Sequence, residues 1–329
     1  MRCIAALVGT AFCLTSLAQD IPLGASHVAT LPTPAAAGDA LVSAAGVVVA
    51  LCEGGKILVW PVPEAKSRRE IDRGEAAANL LAISADGRFV VLRDKRDGVL
   101  VLDVTTGAAR FEARLKHPAM IAPAYVGSNP VAFSRDNRRL AIAAIGEAAQ
   151  IFDLGTGHRL YSLSPTPGGT NAVAFSRDGR LIASADTDGS VRIYDASDGG
   201  LIARNEDFLS EVFAIDFSAD GKEVIAGGGD RVVLHIDAAS GRTVRRSNEV
   251  AEPVVYIGVS PAGTDVGIAL MQADHNLRPA PVYLTDDRSG DLKRSWTPND
   301  AVHGIGWTFH GRLLAATVST QAVDVWRLR

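Results

Sequence analysis

Along most of the chain, apolar and polar residues alternate in runs of five or six, and short turn-forming clusters separate the runs. The clearest stretch is residues 171–199, NAVAFSRDGRLIASADTDGSVRIYDASDG. Alternation with a period of two over so few residues predicts half-buried strands. AVAFS reads as a first strand. Arg177-Asp178-Gly179 closes it as a tight turn in which glycine supplies a positive φ. LIASA is a second strand, Asp188-Gly189 a second hairpin tip, and SVRIYD a third strand that stops at Asp195. The next turn has an acceptor side chain at Asp195 and a glycine at Gly199. LIARN then opens a fourth strand. One such sheet has two faces to bury and two edges to protect, so its stability must come from neighbours like itself.

Those neighbours recur along the chain. The small hydroxyl residue that closes the first strand returns at Ser84, Ser134, Ser176, Ser218, Ser260 and Thr308, with a degenerate first copy at Ser43. The steps from Ser43 onward are 41, 50, 42, 42, 42 and 48 residues. An independent marker, Asp-x-x-x-Gly, starts at Asp103, Asp153, Asp195, Asp237 and Asp286. From Ser to Asp the separation is 19 residues in four copies (84 to 103, 134 to 153, 176 to 195, 218 to 237). Two turn chemistries held at one spacing, with about 40–45 residues and four strands per unit, are the signature of a propeller blade. One acid per blade at the same turn is a structural device, so these five aspartates are read as turn residues.

AVAFSRDGRLIASADTDGSVRIYD and its copies resemble the WD40 repeat family. Leu102-Asp103, Phe152-Asp153, Tyr194-Asp195 and Ile236-Asp237 stand where that family has its Trp-Asp pair. The resemblance runs from about residue 40 to the C-terminus. No copy has a literal Trp-Asp, nor the family's Gly-His pair ahead of the first strand, so the family's buried His–Asp–Ser–Trp network is not carried over. The expected fold is all-β: a seven-bladed β-propeller of four-stranded antiparallel blades. Asn137 replaces the turn glycine in blade 3 and tolerates the same left-handed backbone. The last copy supplies three strands and then the chain ends at Arg329. A strand near 26–31, around His27 to Leu31, is expected to complete the last blade and close the ring, as in the resembled family.

Residues 1–18, MRCIAALVGTAFCLTSLA, carry one cation, an apolar run and a Ser16-Leu17-Ala18 cleavage pattern. They read as a signal peptide cut after Ala18, making the protein exported, periplasmic or secreted. The run is too short to span a bilayer, and no membrane span is expected elsewhere. Residues 19–39 read as linker plus the closing strand, and 40–329 as the propeller. With 47% apolar and 21% charged residues the chain is globular. A net charge of −4 offers no basic footprint for nucleic acid. Cys52 is the one cysteine left after cleavage, so no internal disulfide forms, and it is expected to be buried.

Candidate chemistry is sparse. Asp186-Thr187-Asp188-Gly189 resembles half a calcium loop but lacks the later ligands and reads as a hairpin turn. The seven histidines (27, 117, 158, 235, 275, 303, 310) are scattered singly, without metal-ligand spacing. Asp216 is a candidate channel acid. No cofactor or metal is implied.

In a propeller, the loops between second and third strands and between blades share one face, the face that usually binds partners in the resembled family. Two of these loops are long, 116–130 and 271–281, and long loops on a rigid scaffold concentrate binding residues. The first offers His117, Tyr125 and Asn129; the second offers Asp274, His275, Asn276 and Arg278. Beside the first, a charged hairpin tip presents Arg93, Lys95 and Arg96. Two function classes follow. One is a non-catalytic scaffold, monomeric by itself, presenting this face to another protein or peptide. The alternative is a propeller enzyme or small-ligand binder, such as a lactonase-like hydrolase, working in the central channel. The first is preferred, because no acid cluster lines the innermost strands.

Overall fold

The computed structural model describes residues 25–61, 68–74, 77–94, 98–114, 130–144, 146–271, 281–286, 292–297, 302–318 and 322–328. Among these residues there are 28 strands in seven four-stranded antiparallel sheets, and no α-helix. The first strand of the chain is β1 (Ala25–Pro32). Blade 1 is β2 (Ala37–Val42), β3 (Val47–Cys52), β4 (Lys56–Pro61) and β5 (Arg69–Asp72). Blade 2 is β6 (Ala77–Ile83), β7 (Phe89–Asp94), β8 (Gly98–Asp103) and β9 (Ala109–Arg114). Blade 3 is β10 (Val131–Phe133), β11 (Arg139–Ala144), β12 (Glu147–Asp153) and β13 (Arg159–Ser162). Blade 4 is β14 (Thr170–Phe175), β15 (Leu181–Asp186), β16 (Val191–Asp195) and β17 (Leu201–Asn205). Blade 5 is β18 (Val212–Phe217), β19 (Glu223–Gly228), β20 (Val233–Asp237) and β21 (Thr243–Arg246). Blade 6 is β22 (Val254–Val259), β23 (Asp265–Leu270), β24 (Val282–Asp286) and β25 (Leu292–Trp296). Blade 7 is β26 (Val302–Trp307), β27 (Leu313–Val318) and β28 (Ala322–Leu328), with β1 as its fourth strand.

The innermost strands touch in succession, β2 to β6, β10, β14, β18, β22 and β26, and β26 returns to β2. The ring is closed. Each blade buries one face against the blade before it and one against the blade after it. The core is therefore a series of inter-blade clusters, such as Ala183, Ile193, Ile215, Val224 and Leu234 between blades 4 and 5. This is why the middle strands are apolar on both faces: every residue from Val191 to Tyr194 in β16 is buried.

The closing strand pairs antiparallel with β28, from Ala25 opposite Leu328 to Pro32 opposite Ala322. Leu31, 1% exposed, joins Val323, Val325, Ala40, Val42 and Trp60 in the core between blades 7 and 1. Blade 7 also needs Gly304, because a Cβ there would stand 2.5 Å from the Ala40 carbonyl oxygen and 2.9 Å from the Leu41 Cα.

The repeated hydroxyl owes its place to the turn between first and second strands. Ser176 Oγ donates to Asp178 Oδ1 at 2.7 Å and accepts the Leu181 N–H at 2.9 Å. Ser84, Ser134 and Ser218 do the same with Asp86 and Phe89, Asp136 and Arg139, and Asp220 and Glu223. A buried hydroxyl must donate and accept, and a small one fits inside the turn. Gly179 sits at φ 71° and Asn137 at φ 54°, so asparagine does hold the left-handed position in blade 3. Asn137 also gains what glycine lacks, an Nδ2 hydrogen bond of 2.8 Å to Asp86 of blade 2.

Candidate functional site

Strand alternation sends the turns between first and second strands, and between third and fourth, to one face of the ring, here the turn face. The remaining loops form the loop face. His117, Tyr125, Asn129, Lys95, Arg96, Asp274, His275, Asn276 and Arg278 lie outside the described residues, as do residues 1–18. Arg93 is the one of these candidates that is described. It is a half-buried strand residue at the end of β7, paired with Val99. Asp94 is likewise in the strand and its Oδ1 accepts the Gly98 N–H at 2.7 Å, closing the hairpin from below. The apolar run of β7 continues its pairing for two residues beyond where the charges begin.

The described part of the loop face has one outstanding apolar feature. In the loop from β17 to β18, Phe208 is buried in the core between blades 4 and 5, while the adjacent Leu209 is 98% exposed. The loop is anchored on both sides of this knob. Phe208 fills the core, and the Leu209 N–H donates to Asp230 Oδ2 at 2.7 Å. Asp230 belongs to the β19–β20 loop. Its neighbour Arg231 holds φ 58°, a left-handed backbone that is strained for this residue type, and pairs with Glu249. The β17–β18 loop carries Glu206, Asp207 and Glu211, the β19–β20 loop Asp230 and Arg231, and the β21–β22 loop Glu249. Arg204 of β17 pairs with Glu206, and the Arg246 charge at the end of β21 acts on Asp207. Sequence reasoning passed over this patch, although an apolar pair inside EDFLSE was a readable signal.

At the turn face one side chain links blade 4 to blade 6. Arg177, in the first turn of blade 4, donates to the carbonyls of Val259, Ser260 and Pro261 at 3.1, 2.8 and 2.6 Å. Those residues belong to blade 6. A side chain that skips blade 5 must run along the inner wall of the ring. Asp216 of β18 lies beside it, its carboxylate accepting the Phe217 and Val259 N–H groups at 2.8 Å each. Burial pushes the Asp216 carboxyl up to about 6, outweighing the two backbone donors and the Arg177 charge, which favour ionisation. Burial likewise raises the nearby Tyr256 phenol, and the Asp216 charge adds to it. The channel acid of the sequence reading is thus a tie between the innermost strands of blades 5 and 6. Because Asp216 binds its proton more tightly folded than unfolded, its contribution is fully present below about pH 4 and is lost as pH rises to about 6. Asp216→Asn should flatten this. The stability of the variant relative to the parent should climb by about 2–3 kcal/mol between pH 4 and pH 6, read from denaturant unfolding. A constant difference across that interval would refute the assignment.

A buried ionic network holds blade 4. Asp186 is fully buried, and its carboxylate receives Thr170 Oγ1 at 2.8 Å, Ser184 Oγ at 3.0 Å, Ser190 Oγ at 3.3 Å and Arg192 at 2.5 Å. Arg192 also reaches Asp188 Oδ2 at 2.9 Å. The two partners are pulled in opposite directions. Burial lifts the Asp186 carboxyl despite its donors, whereas Asp186 and Asp188 hold the Arg192 guanidinium charged against burial. Four donors on one carboxylate, one from a group that cannot lose its proton, make the ionised pair the state that fits the geometry. Asp186-Thr187-Asp188-Gly189 is therefore a hairpin tip that clamps an arginine.

The five repeated aspartates sit at the ends of third strands. The Oδ1 atoms of Asp103, Asp153, Asp195 and Asp237 accept the N–H groups of Thr105, Thr156, Ser197 and Ser240 at 2.7–2.9 Å. The hydroxyls and N–H groups of Ser197 and Ser240, and the N–H and hydroxyl of Thr156, hold Asp195, Asp237 and Asp153 below the usual carboxylate range. Asp286 pairs with Lys293 at 2.8 Å. Two histidines that stand alone in the sequence gain acids in space. His27 Nε2 lies 3.1 Å from Asp324 Oδ1, and His235 Nδ1 lies 3.0 Å from Glu223 Oε2. Among the described residues, no group of three His, Cys, Asp or Glu side chains is arranged to hold a metal ion, and no helix is long and apolar enough to cross a membrane. Cys52 is buried, and burial raises its thiol above the ordinary value.

Comparison with known proteins agrees with this geometry. The family model of the WD domain, G-beta repeat (WD40), matches residues 156–195. That segment holds β13 of blade 3 and β14–β16 of blade 4, so the sequence repeat is out of phase with the blade by one outer strand. No curated protein sequence matches the chain significantly. Among solved structures, a chain in a crystal structure of the mitotic checkpoint complex superposes with a TM-score of 0.74 at 18% identity, over 99% of this chain and 98% of that one. The chain is a seven-bladed β-propeller, and its residues 156–195 match the WD40 repeat model.

Proposed function

We propose that the protein is a non-catalytic interaction scaffold that presents the loop face over blades 4 and 5 to another protein or peptide. The observation that supports this most is Leu209, a fully exposed leucine on a loop pinned by the burial of Phe208 and by the Leu209–Asp230 hydrogen bond. Holding an apolar side chain in water on a rigid loop stabilises nothing in the free protein, whereas a preformed knob of this kind lowers the ordering cost of docking. The acidic surround selects a partner with an apolar socket and a cationic rim. The propeller that this chain resembles was solved within a mitotic checkpoint complex, which accords with a ring used as an assembly platform. The signal-peptide reading of residues 1–18 supports an activity outside the cytoplasm, in the periplasm or beyond the cell.

The test is capture of partners by the purified protein from an extracellular or periplasmic extract, in parallel with Leu209→Ser. An exposed leucine contributes little to folding, so the variant should unfold at the parental temperature and bind its captured partner at least about tenfold more weakly. Equal capture by both proteins would exclude this face. Cell fractionation tests the export reading separately.

A further inference from the structure

A concave site lies at the seam where the ring closes, on the turn face and away from Leu209. A cavity of about 610 Å³ opens between blades 7 and 1. This is within the range of sites that take a small organic molecule. Its walls combine an apolar part, from Val28, Leu314 and Phe309, with a cationic part, from Arg312 and Arg327, and among the described residues no carboxylate lines it. Ser26 is opposite Arg327 in the β1–β28 pairing, and Leu314 is opposite Arg327 in the β27–β28 pairing. The three therefore form one cross-strand row on the same face of the blade.

Two polar atoms of that row are unsatisfied. Ser26 Oγ and Arg327 Nε are buried and have no hydrogen-bond partner among the described residues. A buried donor left without an acceptor is costly, the more so on a charged group. Arg312 stands at the rim on an exposed turn, next to Phe309, which is 48% exposed. Guanidinium groups recognise planar anions through paired N–H donors. We propose that this cavity binds a small organic carboxylate with an apolar body, the carboxylate meeting Arg327, Arg312 and the Ser26 hydroxyl, and the body lying against Val28, Leu314 and Phe309. The site exists only when β1 is docked, so a bound ligand also strengthens the closure of the ring.

The probe is 3-phenylpropionate, with 3-phenylpropionamide as the neutral control, followed by calorimetry and thermal unfolding of the full chain. The expected result is saturable binding of one equivalent, an unfolding temperature that rises with probe concentration, and at least tenfold weaker binding of the amide. Arg327→Gln alters a strand of the closing blade. Arg312→Gln, on an exposed turn, is the independent variant and should also weaken binding at least tenfold while unfolding at the parental temperature. Absence of saturable binding at millimolar probe, equal affinity for the amide, or parental affinity in Arg312→Gln would each overturn the proposal. Leu209→Ser should bind the probe normally, which separates this site from the loop face.

Discussion

Asp186→Ala is expected to destabilise the propeller by about 3–5 kcal/mol, the cost of leaving a buried arginine without its partner. Arg192 has a side chain only 7% exposed and two carboxylate neighbours, Asp186 and Asp188. Removing Asp186 strands most of that charge. It also frees Thr170, Ser184 and Ser190, whose hydroxyls all point at the same carboxylate. In thermal unfolding the loss should amount to roughly 6–10 °C for a chain of this size. Replacing both members, Asp186→Ala with Arg192→Leu, should recover a large part, because the stranded charge and not the missing ion pair dominates the cost. A double variant as unstable as the single one would show that the hydroxyl network, and not the arginine, accounts for the effect.

Deleting residues 25–32 is expected to have the largest effect of all, the loss of cooperative folding. The deletion removes the outer strand of blade 7 and leaves one edge of β28 without a partner strand, while β27 still pairs with the other edge. It also takes Leu31 out of the core shared with blade 1. The exposed edge of β28 then becomes a template for pairing with other chains. Size-exclusion chromatography should show aggregated or expanded protein, and thermal unfolding should lose its single sharp transition. The milder Leu31→Ala should keep the fold and cost about 2–5 kcal/mol. A deletion variant that remains monomeric and unfolds within a few degrees of the parent would mean that the ring holds without its clasp.

Much of this architecture is legible along the chain because its determinants are local. A buried serine, an aspartate two residues on and a left-handed glycine form one turn within a handful of residues, so a spacing of about 42 residues reports a blade directly. Asn137 could be read as a glycine substitute for the same reason. The closing strand was legible by counting, since the last repeat has three strands where the others have four. The candidate site was not legible in this way. The expected binding residues were assigned from loop length, which says where the chain can vary and nothing about what it presents. For Arg93 the strand pairing with β8 was not legible from its charged neighbours Lys95 and Arg96, because pairing depends on the partner strand.

What the sequence determined by itself, then, is the repeat: seven units, their turns, and an unfinished last sheet. These follow from hydrogen bonds and φ preferences that span a few residues. Only the tertiary structure decided that Arg177 crosses to blade 6, that Asp216 ties two innermost strands, and that Asp186 holds Arg192. The tertiary structure likewise set Leu209 in solvent above a buried Phe208, and brought Arg312 and Arg327 together at the closing seam. Each of these depends on which residues from distant repeats the curvature of the ring brings within a few ångströms. That curvature comes from the packing of sheet on sheet, which no single repeat encodes.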